Sequence, residues 1–164
     1  MANTALDGTP ATTNGELPAV GDRVPAFRLV GGDLAEFGPD DLTGRVVLNI
    51  FPSVGTGVCA RSVRTFNERA AELDDTTVVC VSVDLPFAQS GFCAAEGIDR
   101  VRMGSAFRSS FGEDFGVRLQ DGAFEGLLAR SVVVYDTDRT VLHSQLVPDI
   151  AQEPDYDAAL AALG

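Results

Sequence analysis

The sequence predicts an α/β fold in which a mixed central sheet is flanked by helices. Three observations carry that expectation. Short, nearly continuous apolar runs rich in valine suit strands buried on both faces. Between them, apolar residues recur at intervals of three and four, as on the inner face of a helix. Near the C-terminus two strand-like runs are separated only by a tight polar turn, so part of the sheet is antiparallel.

Taken in order, residues 1–17 are small and polar, and read as a lead-in that is flexible or folded as a short hairpin around Asp7-Gly8. Residues 18–164 form the domain proper, with no internal repeat. Phe27–Val30 suits a short strand stopped by Gly31-Gly32, and Val46–Phe51 is an apolar run bounded by Gly44 and Pro52. From Val58 to Leu73 the period becomes helical, with Val63, Phe66, Ala70 and Leu73 on one side. Thr76–Val83 is a second buried strand, and Pro86–Glu96 a helix opened by proline and closed at Gly97. Val101–Met103 is a short strand, after which Phe107, Phe111 and Phe115 fall at steps of four. That stripe reads as core, with a subunit contact as the alternative. Ser131–Tyr135 and Thr140–Val147 make the closing pair around Asp136-Thr137-Asp138-Arg139, and Pro154–Leu163 is a last helix with Tyr156, Leu160 and Leu163 on one face.

Composition narrows the function classes. Twelve basic against 24 acidic residues give a formal charge of −12, and all twelve basic residues are arginine. Such a surface repels phosphate backbones and anionic lipid, which argues against nucleic-acid and membrane partners. Met1–Leu17 has neither the basic nor the apolar segment of a secretory signal, and no apolar run is long enough to span a bilayer, so a soluble, cytoplasmic protein is expected. Three cysteines, Cys59, Cys80 and Cys93, in such a chain argue against a structural disulfide framework and leave reactive or buried thiols.

These three differ in setting. Cys59 follows a buried strand and lies three residues after Thr56, a good helix N-cap, so it falls in the first turn of a helix. Unpaired N–H groups and the positive end of the helix dipole favour a thiolate there, which makes Cys59 a candidate nucleophile. Cys80 lies within Val78-Val79-Cys80-Val81 and reads as inert core filler. Cys93 sits in the Pro86–Glu96 helix; its separation of 34 from Cys59 fits neither a C-x-x-C dithiol nor a zinc knuckle. Two accessible thiols on different helices can still form a reversible disulfide if one helix moves. His143, the only histidine, lies on a strand facing solvent or the sheet edge.

Pro52-x-x-x-Thr56-x-x-Cys59 matches the peroxiredoxin active-site motif P-x-x-x-T/S-x-x-C. With Leu48–Ser53, the string Asp84-Leu85-Pro86-Phe87-Ala88-Gln89-Ser90, Phe92-Cys93, Ser144–Val147 and Glu153–Tyr156, the chain from about residue 18 resembles the bacterial thiol peroxidases, the atypical two-cysteine peroxiredoxins. The resemblance implies a thioredoxin-like fold and a peroxidase. Cys59 would be the peroxidatic thiolate that reduces hydrogen peroxide or organic hydroperoxides. Thr56 and Arg130, the latter directly before Ser131–Val134, would be the donors to the reacting oxygens. Pro52 would shield the sulfenic acid, and Cys93 would resolve it as a Cys59–Cys93 disulfide. The resemblance further implies thioredoxin as reductant, a homodimer to which the phenylalanine stripe could contribute, and no metal, flavin or haem. A thiol-based redox sensor with little turnover is the alternative.

Overall fold

The computed structural model describes residues 1–164. Asn3–Leu6 (β1) and Thr9–Thr12 (β2) form an antiparallel hairpin. Asp7 and Gly8 at its tip have φ of 48° and 84°, the left-handed pair that a two-residue turn requires and that Asp-Gly accepts readily. The hairpin is docked on the domain. The carboxylate of Asp149 accepts the Asp7 and Gly8 N–H groups at 2.9 and 2.8 Å, and the Thr4 hydroxyl donates to the Val147 carbonyl at 2.9 Å.

Leu29–Val30 (β3), Glu36–Phe37 (β4), Arg45–Ile50 (β5), Thr76–Ser82 (β6), Arg102–Ser105 (β7), Ser131–Tyr135 (β8) and Val141–Leu146 (β9) make one seven-stranded sheet in the order β4-β3-β7-β6-β5-β8-β9. β5, β6 and β7 are parallel to one another, and the other pairings are antiparallel, giving the mixed sheet the sequence predicts. Helices Gly57–Ala70 (α1), Pro86–Glu96 (α2), Phe111–Asp114 (α3) and Tyr156–Ala161 (α4) complete the order.

The valine-rich runs are continuous because both faces of the central strands are covered. Val46, Leu48 and Ile50 of β5, with Val79, Val81 and Val133, meet Phe27, Phe37, Phe111 and Phe115 on one side. Val47, Val78, Cys80, Val132 and Val134 face the other, against Cys59, Val63 and Phe66 of α1 and Ala159 of α4. No helix is long and apolar enough to cross a membrane.

Four expectations need correction. Phe107, Phe111 and Phe115 do not form a stripe on one helix, because α3 is only four residues long and Phe107 lies before it. Phe111 and Phe115 are fully buried with ring centroids 4.2 Å apart, whereas Phe107 is 43% exposed, so only Phe107 could touch another subunit. β7 runs on through Gly104-Ser105, since parallel pairing with β6 continues to Ser82↔Ser105. The last helix begins at Tyr156, because the Asp155 side chain caps it by accepting the Ala158 N–H at 3.0 Å and leaves Pro154 outside. The helix predicted over Val58–Leu73 is Gly57–Ala70, one residue earlier at its start because Thr56 is the cap.

Candidate active site

β5 ends at Ile50, and Phe51–Gly55 turn the chain into α1 at the edge of the core. Thr56 is the N-cap in extended conformation, and its side-chain oxygen accepts the backbone N–H of Cys59 at 3.3 Å. The cap therefore fixes Cys59 at the third helical position. The Thr56 hydroxyl also makes a long contact of 3.4 Å to the Ser53 carbonyl. Pro52 is buried at the start of this turn.

Arg130 enters from the opposite direction. It precedes β8, which pairs antiparallel with β5, so the end of one strand and the start of the other lie side by side (Ile50↔Ser131). The side chain is only 1% exposed. Its Nε donates to the Ile150 carbonyl at 2.8 Å, its Nη2 donates to the Cys59 Sγ at 3.0 Å, and its Nη1 is buried without a partner. A buried guanidinium is costly unless an anion or several acceptors meet it. Here the acceptors are one carbonyl and one sulfur.

A pocket of about 150 Å³ opens beside this pair, lined by Thr56, Val58 and Arg130 on one side and by Leu6, Phe124 and Ile150 on the other. Its walls are mainly apolar around one polar corner, an arrangement suited to a small organic molecule with a polar end.

The other cysteines are set apart. Cys80 is fully buried, and burial pushes its thiol up to about 12, although the Asn49 amide donates to its sulfur at 3.6 Å. Cys93 lies on α2 and is half-buried, with its thiol also raised by desolvation. No disulfide joins the three cysteines. His143 sits on the edge strand β9, half-buried, with Nε2 lacking a partner; burial lowers its pKa and nearby Asp155 partly offsets that. The sulfur of Cys59 is met by Arg130 and not by this imidazole. No three His, Cys, Asp or Glu side chains converge as metal ligands.

Of the residues singled out in the sequence, Thr56, Cys59 and Arg130 thus converge, with Pro52 buried in the turn that precedes them, while Cys93 lies on a separate helix. Three contributors carry no signal of their own. The Ile150 carbonyl that anchors Arg130 is a backbone group, and Leu6 and Phe124 reach the pocket only through the tertiary fold. Asp84 begins the Asp84–Ser90 segment, and its carboxylate is a structural partner of the Cys59 loop: it accepts from the Ser53 hydroxyl at 2.7 Å and from the Val54 N–H at 2.9 Å.

Comparison with known proteins identifies the family of the chain. The Redoxin family model matches residues 19–160. A thiol peroxidase of Mycobacterium tuberculosis is 59% identical over 165 residues, covering 100% of this chain and 99% of that protein. A thiol peroxidase of Corynebacterium glutamicum is 58% identical, covering 99% of both. A peroxiredoxin-like protein from Aquifex aeolicus has a crystal structure that superposes with a TM-score of 0.92 at 38% identity, covering 99% of this chain and 96% of that one. The chain belongs to the Redoxin family and, within it, to the peroxiredoxins of thiol peroxidase type.

Proposed function

We propose that this enzyme reduces hydrogen peroxide and organic hydroperoxides in a two-cysteine cycle in which Cys59 is peroxidatic and Cys93 resolving. The observation that carries the reading is the buried Arg130, with one nitrogen 3.0 Å from the Cys59 sulfur and another buried and unpartnered. In the first step the Cys59 thiolate attacks one peroxide oxygen and the O–O bond breaks. The leaving alkoxide or hydroxide takes a proton, and sulfur is oxidised to a sulfenic acid. Charge moves from sulfur onto the departing oxygen, along the edge that Arg130 presents. Thr56 can turn its hydroxyl proton from the weak Ser53 contact towards the peroxide while still accepting the Cys59 N–H. Pro52 limits the access of water and further oxidant to the sulfenic acid.

In the second step the Cys93 sulfur attacks the sulfenic sulfur, forming the Cys59–Cys93 bond and releasing water. A disulfide needs Cα atoms within about 7 Å, and Cys59 is buried in the first turn of α1, so this step requires local unwinding. Thioredoxin then returns the dithiol by exchange. The apolar side of the pocket supports organic hydroperoxides as substrates. Antioxidant defence in the cytoplasm, as a homodimer, completes the reading.

Thiol counting on denatured protein, before and after one equivalent of cumene hydroperoxide, tests the cycle. A fall from three thiols to one, with Cys59 linked to Cys93 and Cys80 free by peptide mapping, is the expected result. Three remaining thiols would overturn it. Arg130→Met should slow the reaction of Cys59 with peroxide by about 10²–10³-fold, the usual cost of losing one transition-state donor. An unchanged second-order rate constant in stopped-flow would remove Arg130 from the mechanism.

A further inference from the structure

We propose that Asp84 is a positioning residue that clamps the Cys59 loop and the Cys93 helix together, so that its hydrogen bonds set how readily the two cysteines meet. The proposal rests on the two-cysteine reading above. Asp84 directly precedes Leu85 and Pro86, where α2 begins. On one side its carboxylate holds the Cys59 loop, Oδ1 accepting from the Ser53 hydroxyl at 2.7 Å and Oδ2 from the Val54 N–H at 2.9 Å. On the other, Oδ2 accepts from the Ser82 hydroxyl at 2.6 Å, and the Ser105 hydroxyl donates to the Asp84 carbonyl.

Ser82 carries the connection into α2. Its oxygen accepts from Gln89 Nε2 at 3.0 Å, and the same nitrogen donates to the Gly104 carbonyl at 3.2 Å. Gln89 is 1% exposed and lies four residues before Cys93, on the same side of the helix. An unbroken relay of polar contacts thus runs from the loop before Cys59, through Asp84 and Ser82, to the turn below Cys93. Hydrogen bonds to a carboxylate are among the stronger ones, and successive bonds reinforce each other in low dielectric.

The chemistry gives this relay a consequence. A sulfenic acid at Cys59 has two fates. The Cys93 sulfur can attack it, forming the disulfide and releasing water. Alternatively, a second hydroperoxide can transfer an oxygen to it, giving a sulfinic acid and an alcohol. The first needs the loop and helix to loosen, whereas the second proceeds in the closed site. A clamp that holds both elements slows the first and leaves time for the second.

Asp84→Asn keeps the size of the side chain but replaces one acceptor oxygen by a donor nitrogen. In reduced protein without peroxide, hydrogen exchange should quicken about tenfold at Val54–Thr56 and in the first two turns of α2 together. With excess cumene hydroperoxide, the sulfinate formed per turnover, read by mass spectrometry, should fall severalfold, and Asp84→Glu should recover part of the protection. Exchange unchanged from wild type, or loosening of the loop alone with α2 unaffected, would overturn the proposal. If Asp84→Asn does not fold, Ser53→Ala removes a single link, and exchange must rise in its loop and in the first two turns of α2 together for the clamp to stand. The exchange readout needs no turnover, so an enzyme that does not consume peroxide would refute the cycle and leave the clamp decided separately.

Discussion

Cys59→Ser is expected to consume hydroperoxide no faster than the uncatalysed background. Serine keeps the size of the side chain, and the Thr56 cap acts through the backbone N–H of residue 59, so α1 should form as before. What is lost is the polarizable sulfur nucleophile, since a serine hydroxyl at neutral pH is neither ionised nor soft enough to open an O–O bond. Cys59 is fully buried among Val63, Phe66 and Val132, so a new hydroxyl there costs about 1–3 kcal/mol unless it finds a partner. Arg130 Nη2, 3.0 Å from the present sulfur, is that partner. Circular dichroism and thermal melting should therefore show a folded protein, and any turnover above background in a peroxide-decay assay would transfer the chemistry to another residue.

Cys93→Ser is expected to separate the two halves of the cycle. One equivalent of hydroperoxide should disappear in a rapid burst, because the surroundings of Cys59 are untouched. Turnover with thioredoxin and its reductase should then stop, and excess peroxide should drive Cys59 to the sulfinic acid. Cys80 is poorly placed to substitute, being fully buried in β6 with its thiol pushed up to about 12. Sustained turnover at the wild-type rate would exclude Cys93 as the resolving thiol. A burst in the wild type with no reduction by thioredoxin would instead favour a redox sensor over a cycling peroxidase.

Hydrophobic patterning carried most of the architecture. Buried strands on both sides of a sheet must be apolar at successive positions, so Val46–Ile50, Thr76–Ser82 and Ser131–Tyr135 announce themselves. Pro86 and Gly97 bracket α2 at the observed residues because proline suits a first turn and Gly97, at φ 68°, ends it in the left-handed region. Patterning failed at Phe107–Phe115, where a period of four spans a turn and a single helical turn. A spacing of four does not say whether the intervening backbone is helical, and here tertiary packing of Phe111 and Phe115 against Phe27 decided it.

The site divides along the same line. Thr56 and Cys59 could be placed together from the sequence because a helix cap is local, linking residues three apart. Arg130 lies 71 positions away, and no local rule brings it to Cys59; the antiparallel pairing of β5 with β8 does. The same is true of the Ile150 carbonyl that aims the guanidinium and of the Leu6 and Phe124 walls of the pocket. Sequence alone determined which thiol stands at a helix start, because that environment is built from adjacent residues. Arg130 was named there by the resemblance alone; only the tertiary structure decided how it meets that thiol, because a buried guanidinium takes its partners from strands and loops that are distant in the chain.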